Sequence, residues 1–297
     1  MEKYLFGGAV TELIAPANEN YQVDFGALDQ EIDRQLEGGI RGLFVNGLAT
    51  ECLVTTREEQ LAMAAETVKR VRGRVPVMGN IAATRPCDAI TLLEEYEACG
   101  VDAVSVTQPA IYGYTAEALY RFYAGVAEHT KLPVYIYNAP QTGNTLTPSL
   151  VARLVEEYEG IRGYKDSVQD IIHLQSVMAR IPKGRHFECL AGSDATIFPT
   201  LALGGCGVIS LISALFPKPV ADVCELYFAG RIEESREAAC RVLEIRTALK
   251  GAPFLAGYKY VAELVGMPLG RVRPPLSEAS DGQKEKIKES LQKLGLL

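Results

Sequence analysis

Short apolar runs of strand character recur along this chain at near-regular spacing. They are RGLFVNG (41–47), VPVMGN (75–80), VDAVSVTQP (101–109), LPVYIYN (132–138), IRGYKD (161–166), FECLAGSD (187–194) and GVISLIS (207–213), with an eighth at residues 5–11. The most β-branched of them suit a parallel sheet covered on both faces. Helical spacing fills the gaps: Phe25, Leu28, Ile32 and Leu36 form one apolar stripe, Leu61, Ala65 and Val68 a second, and Leu150, Leu154 and Val155 a third. Thr56 with Glu59 forms a capping box, and Thr147-Pro148 puts proline at a first helical position. Gly39, Gly73, Gly100 and Gly160 mark helix stops.

Eight strands alternating with eight helices over roughly 230 residues predict a (β/α)8 TIM barrel. An open doubly wound sheet usually has fewer strands and carries GxGxxG after the first, which is absent here. Beyond residue 230 the stretches 231–250, 253–265 and 279–296 read as helices. The expected organisation is a barrel over 1–229 and a C-terminal helical segment over 230–297 packed on it.

Charge and composition narrow the partners. A formal net charge of -7 without a basic run argues against nucleic acid or an anionic membrane surface. No run reaches the ~18 apolar residues of a membrane span, and the first residues lack a signal-peptide pattern. Seven scattered cysteines, never spaced CxxC, suit reduced thiols in a cytoplasmic protein. Three histidines with no HExxH leave no protein-built zinc site, and no metal is expected.

In a barrel of this kind, chemistry sits at the C-terminal ends of the strands. Those ends supply Thr11, residues 46–51, Asn80, Gln108, Tyr137-Asn138, Lys165-Asp166, residues 192–194 and Ser210. Glu51, Asp166 and Asp194 are read as the only acids of this rim. They give weak support to paired-carboxylate chemistry, and Asp166 and Asp194 serve equally well as helix caps. Lys165 and Tyr137 end neighbouring strands. A lysine with an ordinary pKa of about 10.4 is almost wholly charged at neutral pH, and partial desolvation in the mouth is expected to lower that value. A neutral amine attacks a ketone to form a Schiff base, and a tyrosine hydroxyl carries the proton.

Y-N-x-P with T-G at 137–140 and 142–143, GYKDS at 163–167, AGSD at 191–194, GGCGVIS at 204–210 and GRVRPPL at 270–276 together carry a resemblance over nearly the whole length. The chain resembles the pyruvate-dependent class I aldolases that include N-acetylneuraminate lyase, 2-keto-3-deoxygluconate aldolase and dihydrodipicolinate synthase. The resemblance implies an imine on Lys165 with pyruvate or another 2-oxo acid, Tyr137 as proton shuttle and no further cofactor. It implies Leu48, Ala49, Gly192, Ile209 and Asp194 around the substrate, and a homo-oligomer, tetramer or dimer, in which Tyr112 reaches a neighbouring subunit's site.

Departures from the family pattern shape the expected activity. Where the pattern has G-[ST]-T-G-E, Gly47 and Glu51 match, but the hydroxyl positions are Leu48 and Ala49. Thr50 substitutes only if the turn shifts. The YNAPQTGN loop lacks the arginine of the synthase form, which argues against dihydrodipicolinate synthase. Ala195 stands where sialic acid lyases often place a glutamate, and Ile111 where a tyrosine often stands. The leading expectation is an aldolase or lyase joining or splitting a 2-oxo acid and an aldehyde. Dihydrodipicolinate synthase or a keto-deoxy sugar acid dehydratase is the alternative. A 2-oxo-acid-binding protein with weak or lost turnover is the reading from another class. The glycines at 204–207 suggest a phosphate-binding loop, or more simply a helix stop before the last strand.

Overall fold

The computed structural model describes residues 3–267 and 269–297, the side chain of Ala49 excepted. Eight parallel strands close on themselves in chain order. They are β1 (Gly8–Glu12), β2 (Gly42–Val45), β3 (Val77–Ile81), β4 (Ala103–Thr107), β5 (Val134–Asn138), β6 (Ile161–Asp166), β7 (Glu188–Ala191) and β8 (Gly207–Ser210). The expected (β/α)8 barrel is therefore the observed fold. After α9 (Pro217–Phe228) come α10 (Ile232–Leu249), α11 (Ala256–Leu264) and α12 (Asp281–Lys293), close to the three helical stretches read in the sequence. Among the described residues no helix is long and apolar enough to cross a membrane.

Side chains of a strand alternate between the barrel interior and the helical layer. Val10, Phe44, Met78, Tyr135, Leu190 and Ile209 fill the interior, and a larger apolar layer packs strands against helices. The end at which the strands begin is sealed. There Glu188 accepts hydrogen bonds from the amides of Leu5 and Phe6 at 2.8 and 2.9 Å and from the Tyr135 hydroxyl at 2.8 Å. Gly163 is required at this level, since a Cβ on it would lie 2.2 Å from the Tyr135 ring. With the interior packed and one end sealed, the C-terminal mouth is where a ligand can enter.

The helix signals hold in part. α2 (Arg57–Val71) starts on the Thr56–Glu59 capping box, and α5 (Pro148–Glu157) on Thr147 with proline at its first position. α3 (Pro86–Cys99) stops at Gly100 in the left-handed conformation, but α5 ends at Tyr158, before Gly160. In α2 the buried face runs through Met63, Ala64, Thr67 and Val71, and Ala65 is exposed. In α1 (Phe25–Glu37) Phe25 is 40% exposed, and the buried face is Ala27, Leu28, Glu31, Ile32 and Gln35. Two polar residues turn inward there because β1 and the loop after it offer partners. Gln35 accepts from the Thr11 hydroxyl at 2.8 Å and donates to the Ala214 carbonyl at 3.0 Å.

Glu31 Oε1 accepts from the Ile14 amide at 2.9 Å, while Oε2 has no partner. Burial raises the Glu31 pKa from 4.5 to about 8, against the opposing Ile14 hydrogen bond and Lys259 charge. The folded chain therefore keeps a proton that the unfolded chain releases. Stability should fall as pH rises from about 4.5 toward about 8, then level off. Glu31→Gln, uncharged at every pH, should flatten that decline by a few kcal/mol at most, on the order of the linkage for such a shift. Urea unfolding of both chains across this window measures it.

Candidate active site

Parallel register sets the site. Tyr137 of β5 lies opposite Lys165 of β6, and Glu12 of β1 opposite Phe44 of β2. Val10 points into the barrel, so Glu12, two residues on, does too. Lys165 is 0% exposed, and its Nζ donates to Glu12 Oε2 at 2.9 Å. The ammonium also sits over the Phe44 and Tyr137 rings, 4.0 and 4.1 Å from their centroids. Glu12 and Tyr137 line a cavity of about 460 Å³ in the mouth, and Lys165 lies beneath its lining.

Two sequence expectations are corrected here. The first strand ends at Glu12, one residue later than read, so Glu51, Asp166 and Asp194 are not the only acids at the strand ends. Burial does pull the Lys165 pKa down. The charge of Glu12, then Tyr137 and the hydrogen bonds to both, push it back further, and the net direction is up. An ion pair at 2.9 Å outweighs desolvation here, and the resting amine is held protonated.

The turn after β2 is shaped around that pair. A Cβ on Gly47 would fall 2.0 Å from Glu12 Oε1, so only glycine admits the carboxylate there. Leu48–Thr50 then forms one short 3-10 turn. Leu48 lines the cavity, and the side chain of Ala49 lies outside the described residues. Thr50 does not replace the missing hydroxyls. It is buried, and its Oγ1 donates to the Gly47 carbonyl at 2.8 Å within its own turn.

Around Tyr137, burial raises the phenol pKa, partly opposed by the Lys165 charge. Ser167 Oγ lies 3.4 Å from the Tyr137 hydroxyl and 3.0 Å from the Gly192 carbonyl oxygen. Gly192, Ile209 and Asp194 all line the cavity, although the Gly192 amide is spent on the Asp166 carbonyl at 2.7 Å. Burial raises Asp194 to about 6 even though the Ser210 hydroxyl donates to it. Asp166 stands apart from the cavity. Its Oδ1 accepts from Asn138 Nδ2 and the Val168 amide, both at 3.1 Å, which fixes the turn after β6. The next helix is capped by Asp170, so the expected helix-cap role does not fall to Asp166. Tyr112 is 69% exposed and lines no part of its own chain's cavity. Gly204 and Gly205 precede β8 at the barrel's closed end, and Gly207 is its first residue. There Gly205 donates to the Thr200 carbonyl at 2.8 Å and Gly207 packs on Gly8, so they are remote from the mouth.

Sequence reasoning missed Glu12, Arg246 and the contribution of Phe254 and Tyr258 to the lining. Glu12 was visible as the one charge inside the apolar run GAVTELIAP, in phase with Val10. Arg246 comes from the last turn of α10, and no local pattern relates it to the strand ends.

The mouth is tied to the C-terminal segment. Buried Glu51 accepts from Lys259 Nζ at 3.2 Å, from the Arg273 amide at 3.0 Å and from the Arg273 guanidinium. Arg273 also donates to the carbonyls of Ala15, Pro16 and Tyr21.

A closed (β/α)8 barrel with a polar mouth holding a buried lysine and carboxylate belongs to the class of barrels that build chemistry at their C-terminal face. The match is to the dihydrodipicolinate synthetase family over residues 5–294, and the chain belongs to that family. This is a family of pyruvate-dependent lyases that work through Schiff bases. The 4-hydroxy-tetrahydrodipicolinate synthase of Methanopyrus kandleri is 31% identical over 292 residues, covering 98% of this chain and 97% of that one. Dihydrodipicolinate synthase from Thermotoga maritima superposes with a TM-score of 0.95 at 28% identity, covering 99% of this chain and 100% of that one. A prophage protein of the dihydrodipicolinic acid synthase family from E. coli K12, solved in complex with pyruvate, superposes with a TM-score of 0.94 at 29% identity and covers 99% and 100%. The relatives thus carry the synthase name held as the alternative, rather than the lyase and sugar-acid aldolase names placed first. The missing loop arginine is a weak argument against them, since Arg246 brings a guanidinium to the cavity from another element.

Glu51→Ala would leave Lys259 and Arg273 buried without their carboxylate. A loss of ~3–5 kcal/mol is expected for breaking such a pair, read as a lower urea midpoint, with Glu51→Gln losing less.

Proposed function

We propose that this chain is a Schiff-base lyase in which Lys165 condenses with the ketone of pyruvate or another 2-oxo acid, and that the imine is joined to, or released from, an aldehyde. The observation that carries this reading is the fully buried Lys165 beneath a cavity lined by Tyr137 and Glu12. The protonated imine draws electrons from the adjacent carbon. That carbon loses a proton and becomes nucleophilic toward the aldehyde, or in reverse the carbon–carbon bond breaks. The Tyr137 hydroxyl, held by Ser167, carries the proton to and from the aldehyde oxygen. The covalent imine makes a separate cofactor unnecessary.

The synthase direction is preferred, because the curated relatives are named for synthesis. Arg246, half-buried in the cavity lining, matches an aldehyde bearing an acid group. An assembly of two or four copies belongs to the same reading, with Ile111 and Tyr112 exposed and available to a neighbouring subunit.

Borohydride reduction in the presence of pyruvate should add a pyruvate-derived mass to Lys165, and Lys165→Ala should abolish it. An unmodified Lys165 in the native chain would overturn the reading. Arg246→Gln should raise KM for an acid-bearing aldehyde ~10-fold or more, in line with a charged hydrogen bond, while leaving the trapping of pyruvate unchanged.

A further inference from the structure

We infer that Glu12 is a catalytic residue, the proton carrier for imine formation at Lys165, in place of the hydroxyls that the turn at positions 48 and 49 lacks. The inference rests on the imine reading above and assigns a role to a carboxylate that no family motif in the chain contains.

Three observations carry it. Glu12 Oε2 is the hydrogen-bond acceptor of Lys165 Nζ at 2.9 Å, so one carboxylate oxygen is already placed to receive the proton that must leave before the amine can attack. Glu12 lines the cavity and Lys165 lies beneath the lining, so a carbonyl compound meets the carboxylate on its way to the amine. The third is the cost of alternatives nearby. Leu48 has no proton to give, and the Thr50 hydroxyl is committed to the Gly47 carbonyl. Tyr137 also reaches Nζ, but burial keeps its phenol protonated, so it is a poor acceptor for the ammonium proton beside a carboxylate at 2.9 Å. The glycine at 47 keeps the position open, because any Cβ there would collide with Glu12 Oε1 at 2.0 Å.

The proton balance closes on this one group. Glu12 takes a proton from the Lys165 ammonium, and the freed lone pair attacks the carbonyl carbon. A C–N bond forms, and the carbonyl π pair moves to oxygen, which takes the proton back from Glu12. Glu12 then removes a second proton from the attached nitrogen and delivers it to the new hydroxyl. The C–O bond breaks, water leaves, and the nitrogen lone pair completes the C=N bond. The products are a protonated imine, one water and Glu12 again as carboxylate. The ion pair of the resting chain is restored with the iminium in place of the ammonium. A buried cation is never left without its counter-charge.

A carboxylate that acted only as counter-ion would give the opposite result on removal. Without Glu12, a buried Lys165 would lose its charge more readily and attack faster at neutral pH. A proton carrier, once removed, slows the step by ~10²–10⁴-fold. The test follows the rate at which pyruvate becomes trapped on Lys165 by cyanoborohydride at pH 7, in the full chain and in Glu12→Gln. Trapping slowed at least 100-fold in Glu12→Gln supports the role, and trapping at or above the native rate overturns it. Glu12→Ala, which leaves room for a small carboxylate, gives a second measurement. Slow trapping that accelerates with added formate supports the role, and native-rate trapping without formate overturns it. Absence of any Lys165 adduct in the native chain overturns the imine reading and this role together.

Discussion

Closure of the sheet between β1 and β8 brings together residues that are far apart in sequence. Glu12 and Lys165 are separated by 153 positions, yet the barrel puts their side chains in the same interior layer with a hydrogen bond of 2.9 Å. Two charges are thereby removed from water, at a cost that their mutual contact helps to offset. Much of the surrounding structure serves that contact. Phe44 and Tyr137 cover the ammonium, and Gly47 withdraws its side chain to admit the carboxylate.

The competition between burial and pairing recurs through the molecule with different outcomes. At Lys165 the pair prevails and the amine stays charged. At Lys259 burial prevails, and its pKa is lowered despite contact with Glu51. Glu31 and Asp166 each keep one carboxylate oxygen without a partner, and burial drives both upward, Asp166 to about 7. Burial and the partners at hand, rather than residue type alone, set these directions.

This explains which parts of the molecule were legible in the sequence. β5 and β6 announced themselves as apolar runs, and the ends Tyr137 and Lys165 fell where the register later put them. Gly163 and Gly192 stood inside motifs for close-packing reasons that follow from local geometry. Glu12 was hidden by a strand boundary misjudged by one residue, since a charge in an apolar run reads as an ending rather than as an inward-facing side chain. The α1 stripe was read through Phe25 because apolar spacing cannot register that Glu31 and Gln35 find partners across the interface. Arg246 was beyond reach for another reason. Its place in the cavity depends on how α10 packs, a long-range outcome with no periodic signature.

The clamp around Glu51 bears on how the chain reaches its working form. Arg273 holds carbonyls at positions 15, 16 and 21 as well as the Glu51 carboxylate, so the loops that frame the mouth are fastened by a residue more than 220 positions downstream. Contacts of such separation form late, because the long loop they close must be ordered first. During synthesis the eight strands are complete before this fastening residue is made. A nascent chain ending after β8 holds every strand of the barrel and still lacks the latch on its entrance, so the loops of the mouth gain their fastening with the tail rather than with the barrel.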